Sequence, residues 1–311
     1  MKTEGDKIKH AYCIIAHADP FCLSTLIELL DNERTDIFLL PDKKSPRNLT
    51  ESLECSKSNL HIIPYEERID IRWGGLSQVK AELLLFENVL KTGKYAYIHL
   101  LSGADLPLKP QQKILDYFDS LPEGTNLVCF SHGPSIEENV DFKTRYFHPF
   151  VEYQRFRKEG NFLHLFQDLG AKGFRKLSVG IQRLSNFRRK WKDLTLKKGS
   201  QWISITQDFT TWLVDNKEYI LKNFKGVICP DEIFVQTMLY NSPFRSTIRD
   251  YKGELDETVR LIDWSRGNPY VWRKEDFKEL TESGALFARK FSSTTDKEII
   301  LKIKESVLNG I

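Results

Sequence analysis

The sequence predicts an α/β fold: one mainly parallel central sheet with helices on both faces. Three observations carry this. Over the first 130 residues, short apolar runs of strand character alternate with segments of helical period, the pattern of strand–helix–strand units. At 311 residues, with 41% hydrophobic and 29% charged residues, the chain can bury a sizeable core and has the composition of an ordinary globular protein. No internal repeat, low-complexity tract or Pro/Gly-rich linker divides it. One domain is therefore expected over 1–311, divided into 1–130, 131–291 and a closing helix (292–311).

The strand candidates are AYCIIA (11–16), DIFLL (36–40), LHII (60–63), YAYIHLL (95–101) and NLVCF (126–130). Helical patterns lie between them at 20–31, 77–91 and 110–119. The second has Val79, Leu83, Phe86, Val89 and Leu90 at 3.6-residue spacing, with Ser77 as a candidate N-cap. Further on, WISIT (202–206) and VRLIDW (259–264) read as strands, 209–221 as a helix, and DKEIILKIKESVL (296–308) as an amphipathic closing helix.

Parallel sheets of this kind bind ligands beyond the carboxyl ends of their strands. The residues there are polar or turn-forming: His17-Ala18-Asp19, Pro41-Asp42-Lys43-Lys44-Ser45, and Ser102-Gly103-Ala104-Asp105.

Five cysteines, widely spaced and never in a Cys-x-x-Cys pair, predict reduced thiols and argue against a zinc site or a disulfide framework. The apolar run at 11–16 is too brief to span a membrane or serve a secretory signal, so a cytoplasmic location is expected. The net charge of +3 names no partner. Its distribution is uneven: between Gln182 and Ser200 seven basic residues face one acid, Asp193, with Leu184, Phe187 and Trp191 interleaved. An amphipathic helix with a cationic face is expected over 182–198. Two readings stand side by side: a solvated basic helix with its apolar stripe in the core, or peripheral contact with an anionic membrane at its inner face. No motif for nucleic acid accompanies the patch.

In CPDEIFVQTM (229–238), Pro230 suits a first helical position and Asp231-Glu232 complement a helix dipole. Downstream, Arg260, Arg289 and Lys290 are cations of the kind that phosphate groups require. Nowhere does the chain contain Asp-x-Asp.

Eight pieces in order, AYCIIAH, PDKKS, IRWGGLSQVKAELL, YIHLLSGADLPLK, GSQWISIT, CPDEIFVQTML, VRLIDW and FARKF, resemble the core-2/I-branching β-1,6-N-acetylglucosaminyltransferases with their xylosyltransferase and plant glucuronosyltransferase relatives, glycosyltransferase family 14. The stretch from Val259 to Phe291 is most similar to plant and bacterial members, so a bacterial-type cytosolic member acting in surface polysaccharide synthesis is expected. The resemblance implies a fold of the GT-A type, a UDP-sugar donor, a glycan or lipid-linked glycan acceptor, and inversion at the anomeric carbon. It also implies that no metal or other cofactor is required. Glu232 matches the family's general base, with Asp231 orienting or capping. Arg260 and Lys290 match its diphosphate-binding cations. Ala16, His17, Asp42 and Trp73 match positions around the nucleotide. Ser102 and Asp105 fall in a loop beside the donor, and Gly199-Ser200 in a loop near the acceptor where a small residue admits the sugar. Core roles for His17 and Trp73, and a plain turn role for Asp42, remain open on the residues alone. The segment 131–198 does not align with the acceptor-reading part of animal members. Two alternatives stand beside catalysis without metal: a catalytically inactive glycan- or nucleotide-binding partner of an assembly complex, and a metal-dependent enzyme of the same fold with unusual ligands.

Overall fold

The computed structural model describes residues 8–153, 162–192, 194–248 and 258–310. Its main sheet is formed by β1 (Lys9–Ala16), β2 (Thr35–Pro41), β3 (Asn59–Ile62), β4 (Tyr95–Ser102) and, after the short β5 (Asp105–Pro107), β6 (Ser204–Thr206). The order is β3-β2-β1-β4-β6, parallel throughout except for β6, which runs antiparallel to β4. β5 belongs to a second, three-stranded sheet with β7 (Arg260–Ile262) and β8 (Phe287–Arg289), in the order β5-β8-β7.

Successive residues of the central strands point to opposite faces, and both faces are buried. Tyr12, Ile14, Ile37, Leu39 and Leu101 enter one core with α1 (Pro20–Leu30), α3 (Gln111–Asp119) and the closing helix Lys297–Leu308. Cys13, Phe38, Ile98 and Leu100 enter the other, beneath α2 (Leu76–Thr92), α6 (Gln207–Asp215), α7 (Lys217–Phe224) and α8 (Phe234–Tyr240). The expected α/β class is thus the observed one, and all five cysteines carry free thiols.

Several local expectations give way to tertiary partners. NLVCF forms a single bridge, Leu127 to Ser204, rather than a strand. There the Asn126 side-chain oxygen accepts from the Thr206 amide at 2.8 Å, taking the place of a ladder partner. The helix expected over 209–221 breaks at Asn216, which bonds through its amide side chain to the Trp212 carbonyl at 2.8 Å. Gly75, not Ser77, is the N-cap of α2; Ser77 lies in its first turn and accepts from the Arg72 amide at 2.8 Å. The basic segment is also different from its expected form. α5 (Phe162–Leu184), preceded by α4 (Pro134–Thr144), ends at Leu184, and the described residues beyond it are irregular. Arg189 sets that path: its amide donates to the Arg145 carbonyl at 2.8 Å, and its guanidinium caps α7 through the Lys225 and Asn223 carbonyls. Trp191 packs on Phe224 and donates to the Thr144 carbonyl.

Arg260 lies between the two sheets and is only 3% exposed. Its guanidinium donates to the Thr258 carbonyl at 2.7 Å, the Ile203 carbonyl at 2.8 Å, the Ser204 hydroxyl at 3.0 Å and the Leu100 carbonyl at 3.5 Å. The diphosphate contact implied for Arg260 is therefore corrected. A buried guanidinium bonded to four protein oxygens joins β4, β6 and β7 and does not face an open site. Replacing it leaves those acceptors without donors, at about 1–3 kcal/mol for each one that is left unsatisfied. Arg260→Met is expected to lose on the order of 3 kcal/mol or more in urea unfolding, whereas Lys290→Met unfolds like the parent. Equal stability of both variants would return Arg260 to a ligand-facing role.

Candidate active site

The loops at the carboxyl ends of β1, β2 and β4 hold one another. The Ala16 carbonyl accepts from the Asp42 amide at 2.7 Å, and the Ile15 carbonyl from the Gly103 amide at 2.9 Å. Gly103 lies against Ala16 so closely that an added Cβ would sit 2.9 Å from the alanine Cβ. Ser102 donates through its hydroxyl (2.7 Å) and its amide (2.9 Å) to the buried Asp105 carboxylate, closing the turn.

The chain after β8 crosses this end of the sheet. Phe291 donates its amide to the Ala104 carbonyl, and Ser293 donates to Asp19, the N-cap of α1. Arg289 is positioned on two sides, with its guanidinium 4.0 Å from the centre of the Trp202 ring and 3.5 Å from the Asp105 carboxylate. His17 lies on the solvent-facing rim, which rules out the buried-histidine reading. Desolvation and then the Lys290 ammonium lower its pKa; Arg289 and Lys44 act in the same direction and Asp42 opposes them. The mouth at the carboxyl ends is thus cationic. Asp42 itself is buried, with its carboxylate held by Lys44 at 2.9 and 3.0 Å, the turn geometry that the residues alone had allowed.

A second cluster forms where α2 meets the PDE segment. Trp73 is 45% exposed, so it is not a core tryptophan. Gly74 adopts φ +72°, a conformation open to glycine, and its carbonyl accepts from the Cys229 amide at 2.9 Å. Gln78 bridges the two segments: its side-chain oxygen accepts from Gly74 N at 2.6 Å, and its amide donates to Asp231 at 3.0 Å. The PDE residues form one 3₁₀ turn, and α8 begins only at Phe234.

Glu232 lies between two lysines, with Oε2 2.8 Å from Lys143 Nζ and 3.3 Å from Lys198 Nζ. Desolvation alone would raise its pKa, but the two ammonium groups outweigh that and hold it below the usual carboxylate range. The ionising influence is this pair of cations, not the helix dipole expected from the sequence. The two neighbouring carboxyls behave oppositely. Burial, then the charge of Glu232, pushes Asp231 up to about 7. Glu82, fully buried and bonded to the Gln201 amide at 2.8 Å, is raised well above its ordinary value by burial and then by Asp231.

The Gly199–Trp202 loop joins the two clusters. Gly199 donates its amide to the Glu232 carbonyl at 2.9 Å, Gln236 holds the Ser200 carbonyl at 2.7 Å, and Trp202 carries Arg289. A Cβ on Gly199 would lie 1.7 Å from the Cys129 carbonyl oxygen. Backbone packing therefore already requires glycine here, apart from any room for a sugar. Beside Lys198, a cleft of about 390 Å³ is lined by His132, Asp141, Arg145, Arg188 and Trp191, among others. No group of three or more His, Cys, Asp or Glu side chains among the described residues could hold a metal ion.

Of the residues singled out from sequence, Glu232, Asp231 and Gly199 come together at one end, and Ala16, His17, Asp42, Ser102, Asp105 and Lys290 at the other. Sequence reasoning missed Lys143, Lys198, Gln78, Glu82 and Trp202. Lys143 and Lys198 lie outside the quoted motifs and had no signal beyond their charge; Gln78, Glu82 and Trp202 lay inside them.

The fold is thus α/β, with a cationic mouth at the carboxyl ends of the central strands and a lysine-flanked glutamate beside it. The profile of the Core-2/I-Branching enzyme family matches residues 11–283, and the chain belongs to that family. It is 23% identical over 268 residues to "Xylosyltransferase sqv-6" of Caenorhabditis briggsae, an alignment covering 78% of this chain and 29% of that protein. The chain therefore spans about 29% of the length of that relative. Among solved structures, mouse xyloside xylosyltransferase 1 in its apo form aligns over 91% of this chain and 97% of its own, at 10% identity and a TM-score of 0.37.

The pKa of Asp231 makes stability depend on pH. Its folded value of about 7 exceeds the ordinary 3.8, so the folded chain binds the proton where the unfolded chain has released it. Stability is lost as pH rises from roughly 4 to 7 and then levels off. Asp231→Asn removes that slope, and the stability difference from the parent is expected to change by about 1.4 kcal/mol per pH unit within the window. Urea unfolding at several pH values measures it; a difference independent of pH would mean that Asp231 is ionised throughout.

Proposed function

We propose that this chain is an inverting, metal-independent glycosyltransferase that moves a sugar from a UDP-sugar to a hydroxyl of a glycan acceptor, with Glu232 as general base. One observation carries the reading: a glutamate kept anionic by Lys143 and Lys198 is joined through Gly199–Trp202 to Arg289 at the cationic mouth. In the proposed reaction Glu232 takes the acceptor proton while the acceptor oxygen attacks C1 of the sugar. The C1–O bond to the diphosphate breaks with inversion, and UDP leaves carrying the negative charge. Arg289 and Lys290, with Lys44 nearby, neutralise that charge in the place first assigned to Arg260 and Lys290. Fixed cations of this kind can lower a barrier by several kcal/mol. The missing Asp-x-Asp supports this division of labour.

Trp73 offers an exposed aromatic face to the nucleotide base. The cleft beside Lys198, with Trp191 and both charge signs on its walls, has the size and chemistry for an acceptor sugar. The likeness to a xylosyltransferase makes xylose the first sugar to test, with N-acetylglucosamine next. A cytoplasmic setting and a role in surface polysaccharide synthesis complete the proposal.

UDP release from UDP-xylose and UDP-N-acetylglucosamine, measured with a panel of glycan acceptors in the presence and absence of EDTA, tests the reaction. Activity that persists in EDTA is expected; loss of activity there would overturn metal independence, and no release from a folded protein would sink the transferase reading. Glu232→Gln should lower kcat by about 10²- to 10⁴-fold with little change in donor KM. Lys143→Met removes a charge that lowers the Glu232 pKa, so the acidic limb of kcat/KM should move to higher pH. An unmoved limb would assign that ionisation to another group.

A further inference from the structure

We propose that the exposed face of α5, with Phe187 beyond it, is a docking surface for an anionic lipid bilayer. Between Gly170 and Lys192 the sequence has eight basic residues and no acidic one. None of the described side chains of α5 is buried. Its apolar residues nevertheless fall on one stripe: Phe174, Leu177, Ile181 and Leu184 recur at i, i+3, i+7 and i+10, and they are 55, 62, 57 and 90% exposed. Phe150 packs edge-on against Phe174, and Phe147 and Phe187 complete a groove of about 440 Å³ with the stripe. Exposed cations flank it: Lys176 and Arg183 on the helix, then Arg188, Lys190 and Lys192.

Charge decides between the occupants of such a face. A second copy of this chain would bring two cationic surfaces together, which like-charge repulsion opposes. An anionic bilayer accepts both components at once, the aromatic and aliphatic stripe at the acyl boundary and the cations among the headgroups. No helix of the described residues is long and apolar enough to cross a membrane, so α5 lies along the surface. The surface is also connected to the site. Arg189 donates to the Arg145 carbonyl at the end of α4, one turn of which carries Lys143, and Lys143 and Lys198 hold Glu232. A bilayer docked here lies on the side of the lysine-lined cleft. The inference does not depend on the transfer chemistry: vesicle binding and UDP release can each fail without the other.

The test is co-sedimentation of the whole chain with vesicles of phosphatidylcholine alone and of equimolar phosphatidylcholine and phosphatidylserine. Binding is expected only to the second. The doubly substituted Leu177→Glu, Ile181→Glu protein and the Lys176→Glu, Arg183→Glu protein should each bind at least about tenfold more weakly. Because these side chains are exposed, near-UV circular dichroism should match the parent. Absence of sedimentation with the anionic vesicles, or variants that bind as well as the parent, would overturn the proposal. So would sedimentation velocity showing a parent dimer that Leu177→Glu dissolves, since the face would then belong to a second copy.

Discussion

The buried guanidinium of Arg260 is the constraint around which the two sheets are arranged. A permanent charge cannot be enclosed without acceptors, because its desolvation is too costly. Carbonyls from β4 and the strand leading into β6, with the Ser204 hydroxyl and Thr258, supply them. The same hydroxyl meets His99 at 2.8 Å, and His99 meets His10 at 2.9 Å. Burial, and then the charge of Arg34, holds His10 down at about 3, while burial with His10 and Arg260 keeps His99 neutral. A single cation thus sits at the head of an otherwise uncharged polar chain. Because Arg260 begins β7, and β7 pairs with β8, this anchor also sets where Arg289 emerges beside Trp202 and Asp105.

At the other end of the site, environment separates three carboxyls that sequence alone cannot tell apart. Glu232 is exposed enough to meet Lys143 and Lys198 and stays ionised; Asp231, one residue earlier, points into the protein and retains its proton to near neutrality. Glu82 lies deeper and is held neutral by burial. The raised pKa values of the two buried carboxyls limit the negative charge around Glu232 below neutral pH. Adjacent acids pushed in opposite directions are a common arrangement for proton-transfer chemistry.

Much of this was legible beforehand, and the parts that were not share a cause. The central strands announced themselves because residues buried on both faces leave an unbroken apolar run. The closing helix did so because Ile299, Ile300, Ile303 and Val307 repeat at helical spacing behind the Asp296 cap. The PDE glutamate and the cations near the C-terminus stood out through their motifs. Arg260 was placed at a phosphate because an arginine looks the same in sequence whether it faces a ligand or four carbonyl oxygens. The basic segment read as a helix because alternating cations and aromatics satisfy that period, and nothing local shows that Arg189 will cap a distant helix instead.

The sequence by itself determined the α/β class and the family, and it offered Glu232 as the candidate base, since these rest on periodicity and on motifs written within a few residues. Tertiary structure alone decided which cations face Glu232, which arginine lies at the mouth and which carboxyls keep their protons. Those properties depend on distance and burial, and residues 143, 198 and 232 become neighbours only when α4, the segment leading into Gly199 and the PDE turn pack together. The same holds for Gly199, whose need to be glycine is set by a carbonyl seventy residues away in the chain.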